Sequence, residues 1–205
     1  MNSEKKQGIN LHWERGNVIL SGFMGSGKTA VGRRLAAILH MEFVDMDRYI
    51  EEKAGMKIIE IFAQYGEAYF RTLESQVVEE LAQGKRYVIA TGGGTLMREE
   101  NVALFHSSGG TIFYLKVPLR ALQERLKNDK RRPLLQVPDR NAVIEKLMNE
   151  RTPQYLASAD VVVDAGAPAV VVVRRICALC GVEPNEQAVA KQFDFHVGKK
   201  GRDKK

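Results

Sequence analysis

Cysteine is scarce in this chain, with two in 205 residues. That excludes a disulfide framework, and the expected compartment is the cytoplasm. Cys177 and Cys180 form a C-x-x-C pair, but they fall late in an apolar helical pattern with Val173 and Ile176. A redox pair sits at a helix start and a zinc site needs two more ligands, so both read as small packing residues. Long apolar runs are missing too. Stretches such as Ala169–Val173 fall far short of the roughly 20 residues that span a bilayer, so no membrane role is expected. The N-terminus, with Glu4, Lys5 and Lys6 and no apolar stretch behind them, does not read as a signal peptide. Most of the chain also lacks an excess of one charge. Of the net +6, residues 191–205 supply +4 through six Lys or Arg against two Asp, which leaves +2 for the other 190. A body so nearly neutral has no general polyanion footprint, and no nucleic-acid partner is expected. There is no internal repeat.

What is present suffices for one domain with a full core, since 44% of the residues are hydrophobic. The chain is organised around Gly22-Phe23-Met24-Gly25-Ser26-Gly27-Lys28-Thr29, which fits the phosphate-loop pattern of Gly, four residues, then Gly-Lys-Ser/Thr. Its glycines let backbone N–H groups turn inward onto phosphates, the lysine reaches the outer phosphates, and the threonine hydroxyl is placed to hold Mg²⁺. The context agrees. Val18-Ile19-Leu20 before it reads as a buried strand, and Val31, Leu35, Ile38 and Leu39 after it recur at helical spacing. Strand, glycine loop and helix together aim a helix N-terminus at an anion, so the loop binds a nucleotide.

Residues 1–16 read as a loosely held N-terminal arm, 17–181 as the domain, and 182–205 as a polar, basic tail. Strands are expected at about 17–21, 42–45, 87–91, 111–115 and 160–164. Helices are expected at about 27–39, 47–54, 58–65, 67–83, 98–106, 118–127, 139–156 and 168–180. The basic, polar stretch 128–138, around Arg132-Pro133, reads as a loop with few apolar anchors. Alternating strands and helices imply an α/β fold, a parallel sheet with helices on both faces, whose ligands lie outside the C-terminal strand ends.

At one such end stands Asp45-Met46-Asp47. Carboxylates two apart on an extended chain point the same way, here toward the phosphate loop. Asp47 could instead only cap the following helix. Phosphate-loop enzymes hold Mg²⁺ with a second acid at another strand end, and the third strand ends Ile89-Ala90-Thr91-Gly92 without one. Asp45 is the best substitute, which leaves Asp47 for a substrate. Arg71 stands beside the apolar face of its helix and could simply lie on the surface. Gly92-Gly93-Gly94 suits a backbone that approaches a ligand closely, or a plain turn. Spacing alone does not single out Arg132 or Arg151.

Across roughly residues 17–180 the chain resembles the shikimate kinases. The resemblance rests on the phosphate loop, Phe43-Val44-Asp45-Met46-Asp47, Ile59-Glu60-Ile61-Phe62, Gly66-Glu67 through Phe70-Arg71 and Glu74, Gly92-Gly93-Gly94, Arg132-Pro133-Leu134-Leu135 and Arg151-Thr152-Pro153-Gln154-Tyr155. It implies ATP-dependent, Mg²⁺-assisted phosphorylation of the 3-hydroxyl of shikimate, on the route through chorismate to aromatic amino acids. It also implies a three-layer phosphate-loop kinase fold of the nucleoside-monophosphate-kinase type, with substrate-binding helices at about 46–83 and a lid at 128–138. The nucleotide would meet Gly25, Ser26, Gly27, Lys28, Thr29, Ala30, Arg125 and Arg132, with Arg125 against the adenine. Thr29 and Asp45 would hold the metal. Asp47, Arg71, Gly92, Gly93, Gly94, Arg132 and Arg151 would meet shikimate, the last arginine sharing its carboxylate with Arg71. Lys28, Asp47 and Arg132 would act in the transfer itself, and the enzyme is expected to be a monomer. In some members an arginine beyond the last strand contacts the base. Here that region is Ala165-Gly166-Ala167-Pro168, which leaves only main-chain contacts. The tail after about residue 181 has no counterpart in the family, so its loss beyond Asn185 is expected to leave turnover within about twofold.

Overall fold

Val18, Ile19 and Leu20 are fully buried because helices cover the strand on both sides. Val18 and Leu20 join one core layer and Ile19 joins the opposite one, the period-two alternation of a strand. The computed structural model describes residues 16–129, 133–184 and 186–190. Its strands are β1 (Val18–Ser21), β2 (Glu42–Asp45), β3 (Tyr87–Ala90), β4 (Thr111–Lys116) and β5 (Val161–Asp164). They form one five-stranded sheet in the order β2-β3-β1-β4-β5, every pair parallel. The expected three-layer fold is thus present, and β1 delivers the phosphate loop at the centre of the sheet.

Between the strands run α1 (Lys28–Leu39), α2 (Met46–Ala54), α3 (Ile58–Gln83), α4 (Glu99–Ser107), α5 (Leu119–Leu126), α6 (Arg140–Ser158) and α7 (Ala169–Leu179). α1, α5, α6 and α7 contribute to the core layer of Val18 and Leu20, and α2, α3 and α4 to that of Ile19. α3 is two helical pieces broken at Gly66, whose φ of 80° and ψ of 176° interrupt the helix. A side chain there would be strained by the positive φ, although nothing lies within 4 Å of the place its Cβ would take. The break matches the two pieces expected at 58–65 and 67–83.

At the far end of the sheet Asn17, almost fully buried, holds the layers together. Its side-chain amide donates to the Leu81 and Gly84 carbonyls at 3.2 and 2.9 Å, and its carbonyl accepts from Tyr87 N at 3.0 Å. Cys177 and Cys180 are buried and unpaired, and burial pushes their thiols up to about 11 and about 12. Among the described residues no helix is long and apolar enough to cross a membrane.

Two features differ from the sequence reading. The segment after residue 181, expected as a tail, begins with a further helix, α8 (Glu186–Ala190). Val189 is fully buried in the layer of α1 and α7, Arg34 Nε donates to its carbonyl at 3.3 Å, and Arg174 pairs with Glu186 at 2.5 Å. A helix of five residues, with Val189 as its one large apolar side chain, is too short to leave a periodic signal. The stretch 128–138 also has a firmer base than expected. Leu135, in a short 3-10 turn at Pro133–Leu135, is fully buried. Arg140 ties that turn to the end of α5, donating to Leu135 O at 3.0 Å and Leu126 O at 2.8 Å. Arg132 lies outside the described residues, as do most of the arm and the end of the tail.

Candidate active site

β1 ends at Ser21, the loop occupies residues 22–27, and α1 begins at Lys28. The first turn of α1 holds no acid and no side chain caps it, so its N–H groups and the positive end of its dipole face the loop. Gly25 and Gly27 take φ of 78° and 94°, values that suit glycine. Lys28 Nζ donates to the Gly22 carbonyl at 2.7 Å and the Phe23 carbonyl at 3.2 Å, lying across its own loop. The buried Ser26 hydroxyl has no hydrogen-bond partner among the described residues. An orphaned hydroxyl, an uncapped helix start and a lysine at one cradle suit a chain of phosphates. Ala30 follows within the first turn of α1, and its carbonyl accepts from Arg34 at 2.9 Å.

Beside the cradle the Thr29 hydroxyl donates to Asp45 Oδ2 at 2.9 Å. Asp45 is the N-cap residue of α2 by backbone, yet its side chain makes no cap bond and turns to Thr29 instead. Asp47 stands inside the first turn of α2, so the reading of it as the helix cap does not hold. Thr91, beyond β3, spends its hydroxyl on Leu20 O at 3.0 Å and is buried. Among the described residues no group of three or more His, Cys, Asp or Glu could hold a metal. A hydroxyl and one carboxylate still fit Mg²⁺, which keeps several waters and takes further oxygens from phosphates.

The glycine run after β3 gathers the remaining residues. A Cβ on Gly92 would lie 2.8 Å from Glu74 Oε1, 3.0 Å from Asp47 Oδ1 and 3.1 Å from Thr95 Oγ1. One on Gly94 would lie 2.5 Å from Arg71 Nη1. Gly93 O accepts from Tyr155 Oη at 2.5 Å and Arg151 Nη1 at 3.4 Å. Arg151 and Tyr155 are four apart on α6 and so share a face. The Cβ position of Gly93 is also 4.0 Å from Met24 N, which brings the glycine run against the phosphate loop. Asp47, Arg71 and Arg151 therefore surround one backbone turn beside the nucleotide cradle.

Charge in this pocket is held in place. Arg71 Nη1 donates to Glu74 Oε2 at 2.7 Å and its Nη2 to Glu67 Oε1 at 3.0 Å. Burial opposes the charge on Arg71, but Glu74 and Glu67 more than offset it, and its pKa stands above the ordinary value. Glu74 is nearly sealed from solvent, at 1% exposure, and also accepts from Thr95 Oγ1 at 2.6 Å. Burial pushes the Tyr155 phenol up to about 12, against the opposing pull of Arg151, so it remains a donor. Its ring stacks on Tyr114 with centroids 5.2 Å apart.

Arg125 Nη1 donates to Gly25 O at 3.2 Å, while Nη2 reaches Ala165 O and Gly166 O, both at 3.1 Å. It ties the phosphate loop to the loop after β5, where the sequence offers main chain alone. Glu74 entered the sequence reading only as part of a motif, and Thr95 and Tyr155 carried no role. The i, i+3 spacing of Arg71 and Glu74 and the i, i+4 spacing of Arg151 and Tyr155 are the signals that could have raised two of them.

Comparison with known proteins agrees with this geometry. The family profile for shikimate kinase matches residues 24–180. The chain is 45% identical over 149 residues to a shikimate kinase of Chromobacterium violaceum, covering 73% of this chain and 80% of that protein. It is 46% identical over 149 residues to one of Aromatoleum aromaticum, covering 73% and 85%. The structure of a shikimate kinase from Acinetobacter baumannii in complex with shikimate superimposes with a TM-score of 0.77 at 38% identity, covering 82% of this chain and 93% of that one.

Proposed function

The chain belongs to the shikimate kinase family, and from that premise we propose that it transfers the terminal phosphoryl group of ATP to the 3-hydroxyl of shikimate. The products are shikimate 3-phosphate and ADP, on the route to chorismate and the aromatic amino acids. The observation that carries this reading is the gathering of Asp47, Arg71 and Arg151 around Gly92–Gly94, against the phosphate loop. Shikimate presents one carboxylate and three hydroxyls. Two arginines and one carboxylate are their complement, since a guanidinium fork matches a carboxylate and an acid accepts from hydroxyls.

Phosphoryl transfer needs positioning and charge neutralisation more than covalent help. Lys28 is placed to leave its loop carbonyls for the outer phosphates, and Ser26 has a hydroxyl to offer them. Thr29 and Asp45 would hold Mg²⁺, which supplies positive charge for the phosphate oxygens. Asp47 orients the attacking hydroxyl, and Arg71 with Arg151 clamps the carboxylate at the other side of the ring. Gly92, Gly93 and Gly94 give shikimate a close backbone surface. Arg125 fixes Gly25 and the loop after β5 where the adenine would lie. Arg132 is assigned by resemblance to neutralise the transferring group. A cytoplasmic monomer completes the reading, and the buried free thiols suit a reducing compartment.

A coupled assay of ADP release with shikimate, with gluconate and with neither tests it. ADP release that depends on shikimate supports the assignment. Equal rates with gluconate would point to a kinase of another polyol acid, and equal rates with neither acceptor would reject both.

A further inference from the structure

Thr95 has no place in the roles above, yet its hydroxyl points into the substrate pocket's buried charge. It is fully buried, and Oγ1 donates to Glu74 Oε1 at 2.6 Å. The opposite oxygen of that carboxylate, Oε2, receives Arg71 Nη1 at 2.7 Å. Arg71 in turn packs on Gly94, the residue immediately before the 3-10 turn at Thr95–Met97. We propose that Thr95 is a positioning residue for shikimate recognition: it fixes the rotation of Glu74 and thereby the aim of Arg71. The proposal rests on the reading of Arg71 as a carboxylate clamp.

Three observations carry it. The first is that the Thr95 backbone is held independently of Glu74. Asn101 Nδ2 donates to Thr95 O at 2.8 Å and Thr95 N donates to Gly92 O at 3.4 Å, so the backbone is held on both sides. A β-branched side chain on a fixed backbone has few rotamers left. The second is that a glutamate carboxylate turns easily about its last torsion, where the energy wells are broad. Without Thr95 the one remaining donor to Glu74 among the described residues is Arg71, and the carboxylate is free to swing toward it. The guanidinium then follows and leaves its position against Gly94. The third is crowding. Glu74 Oε1, Asp47 Oδ1 and Thr95 Oγ1 all lie within 3.1 Å of the point where a Cβ on Gly92 would sit. Two carboxylates face one small space there, and the Thr95 hydroxyl is a donor that offsets the crowding on the Glu74 side.

The test compares Thr95→Val, Thr95→Ser and Thr95→Ala with the parent and with Arg71→Ala. KM and kcat are measured for shikimate and for ATP, and shikimate affinity is measured by titration in single and double variants. A buried charge that loses one donor weakens what it supports by roughly tenfold. Thr95→Val should therefore raise the shikimate KM about tenfold with the ATP KM within about twofold, and Thr95→Ser should recover most of the loss. In the Arg71→Ala background Thr95→Val should weaken shikimate titration no further. Should Thr95→Val not fold, Thr95→Ala removes the hydroxyl without adding bulk. An unchanged shikimate KM, an equal rise in both KM values, or the same loss with and without Arg71 overturns the proposal. Normal shikimate affinity in Arg71→Ala would instead remove the clamp itself, and the Thr95 role with it.

Discussion

The two halves of the site are built in opposite ways. The phosphate-binding part of the nucleotide half is nearly contiguous: β1, the loop, the start of α1 and Asp45 lie within residues 18–45, and Arg125 reaches it from α5. The acceptor half draws Asp47, Arg71 and Arg151 from three separate helices and Gly92–Gly94 from the loop after β3. Local chain geometry shapes the first, whereas the second exists only once α2, α3 and α6 have docked on the sheet. The nucleotide half should therefore fail through single side chains, and the acceptor half through packing between elements as well.

The largest effect expected is on the nucleotide side. Lys28→Ala should lower turnover by at least about a hundredfold while circular dichroism and melting stay at parental values. Near-normal turnover in a folded variant would remove Lys28 from the chemistry. By resemblance Arg132→Ala should cost as much or more, about 10³- to 10⁵-fold, with ATP affinity changed by less than about tenfold.

A metal titration sharpens the boundary between the halves at its narrowest point, where Asp45 and Asp47 stand two residues apart. Asp45→Asn removes the negative charge beside the Thr29 hydroxyl and should raise the Mg²⁺ concentration needed for half-maximal rate. Asp47→Asn should leave that requirement unchanged and damage shikimate KM and turnover. The same Mg²⁺ dependence in both variants would erase the division.

On the acceptor side a substitution that removes no functional group should still do harm. Gly94→Ala would bring a methyl to 2.5 Å from Arg71 Nη1, so the guanidinium must move. We expect shikimate KM to rise about tenfold and ATP KM to stay within about twofold, by analogy with the loss of one charge-assisted hydrogen bond. Parental kinetics would mean that the clamp tolerates displacement.

The same contrast decides what could be read from sequence. The phosphate loop was legible because its pattern, strand and helix are adjacent, and the strands came out within a residue or two of their expected ends. Asp47 stayed open between cap and site because the choice depends on Asp45 turning away to Thr29, a contact between elements. Arg71 stayed open between surface and pocket because Glu74 and Gly94 settle it, and only one of these is a helical neighbour. Thr95 and Tyr155 act on groups 21 and 62 residues away, a separation that no local periodicity encodes. α8 escaped for a different reason, since a five-residue helix with one buried valine has no amphipathic period to detect.

That last helix separates stability from catalysis, and its effect should be the smallest. Val189 is fully buried against the layer of α1, and Arg34 contacts both its carbonyl and that of Ala30, one residue beyond Thr29. Truncation after Asn185 removes that burial and the Arg174–Glu186 pair. The exposed ion pair adds little, and a buried valine side chain contributes about 1.5 kcal/mol or more. In a chain of this size 1 kcal/mol shifts the melting temperature by about 2–4 °C, so a drop of several degrees is expected. Turnover at 25 °C should nevertheless stay within about twofold, because α1 is also held by α7 and the sheet, and the loop meets the phosphates through its own backbone. Val189→Ala in the full chain should reproduce a large part of the melting shift, which assigns it to burial rather than to the charges beyond. A truncated enzyme that melts normally would return α8 to the status of a tail. One that melts lower and loses turnover tenfold at 25 °C would show that the contact at α1 reaches the phosphate loop.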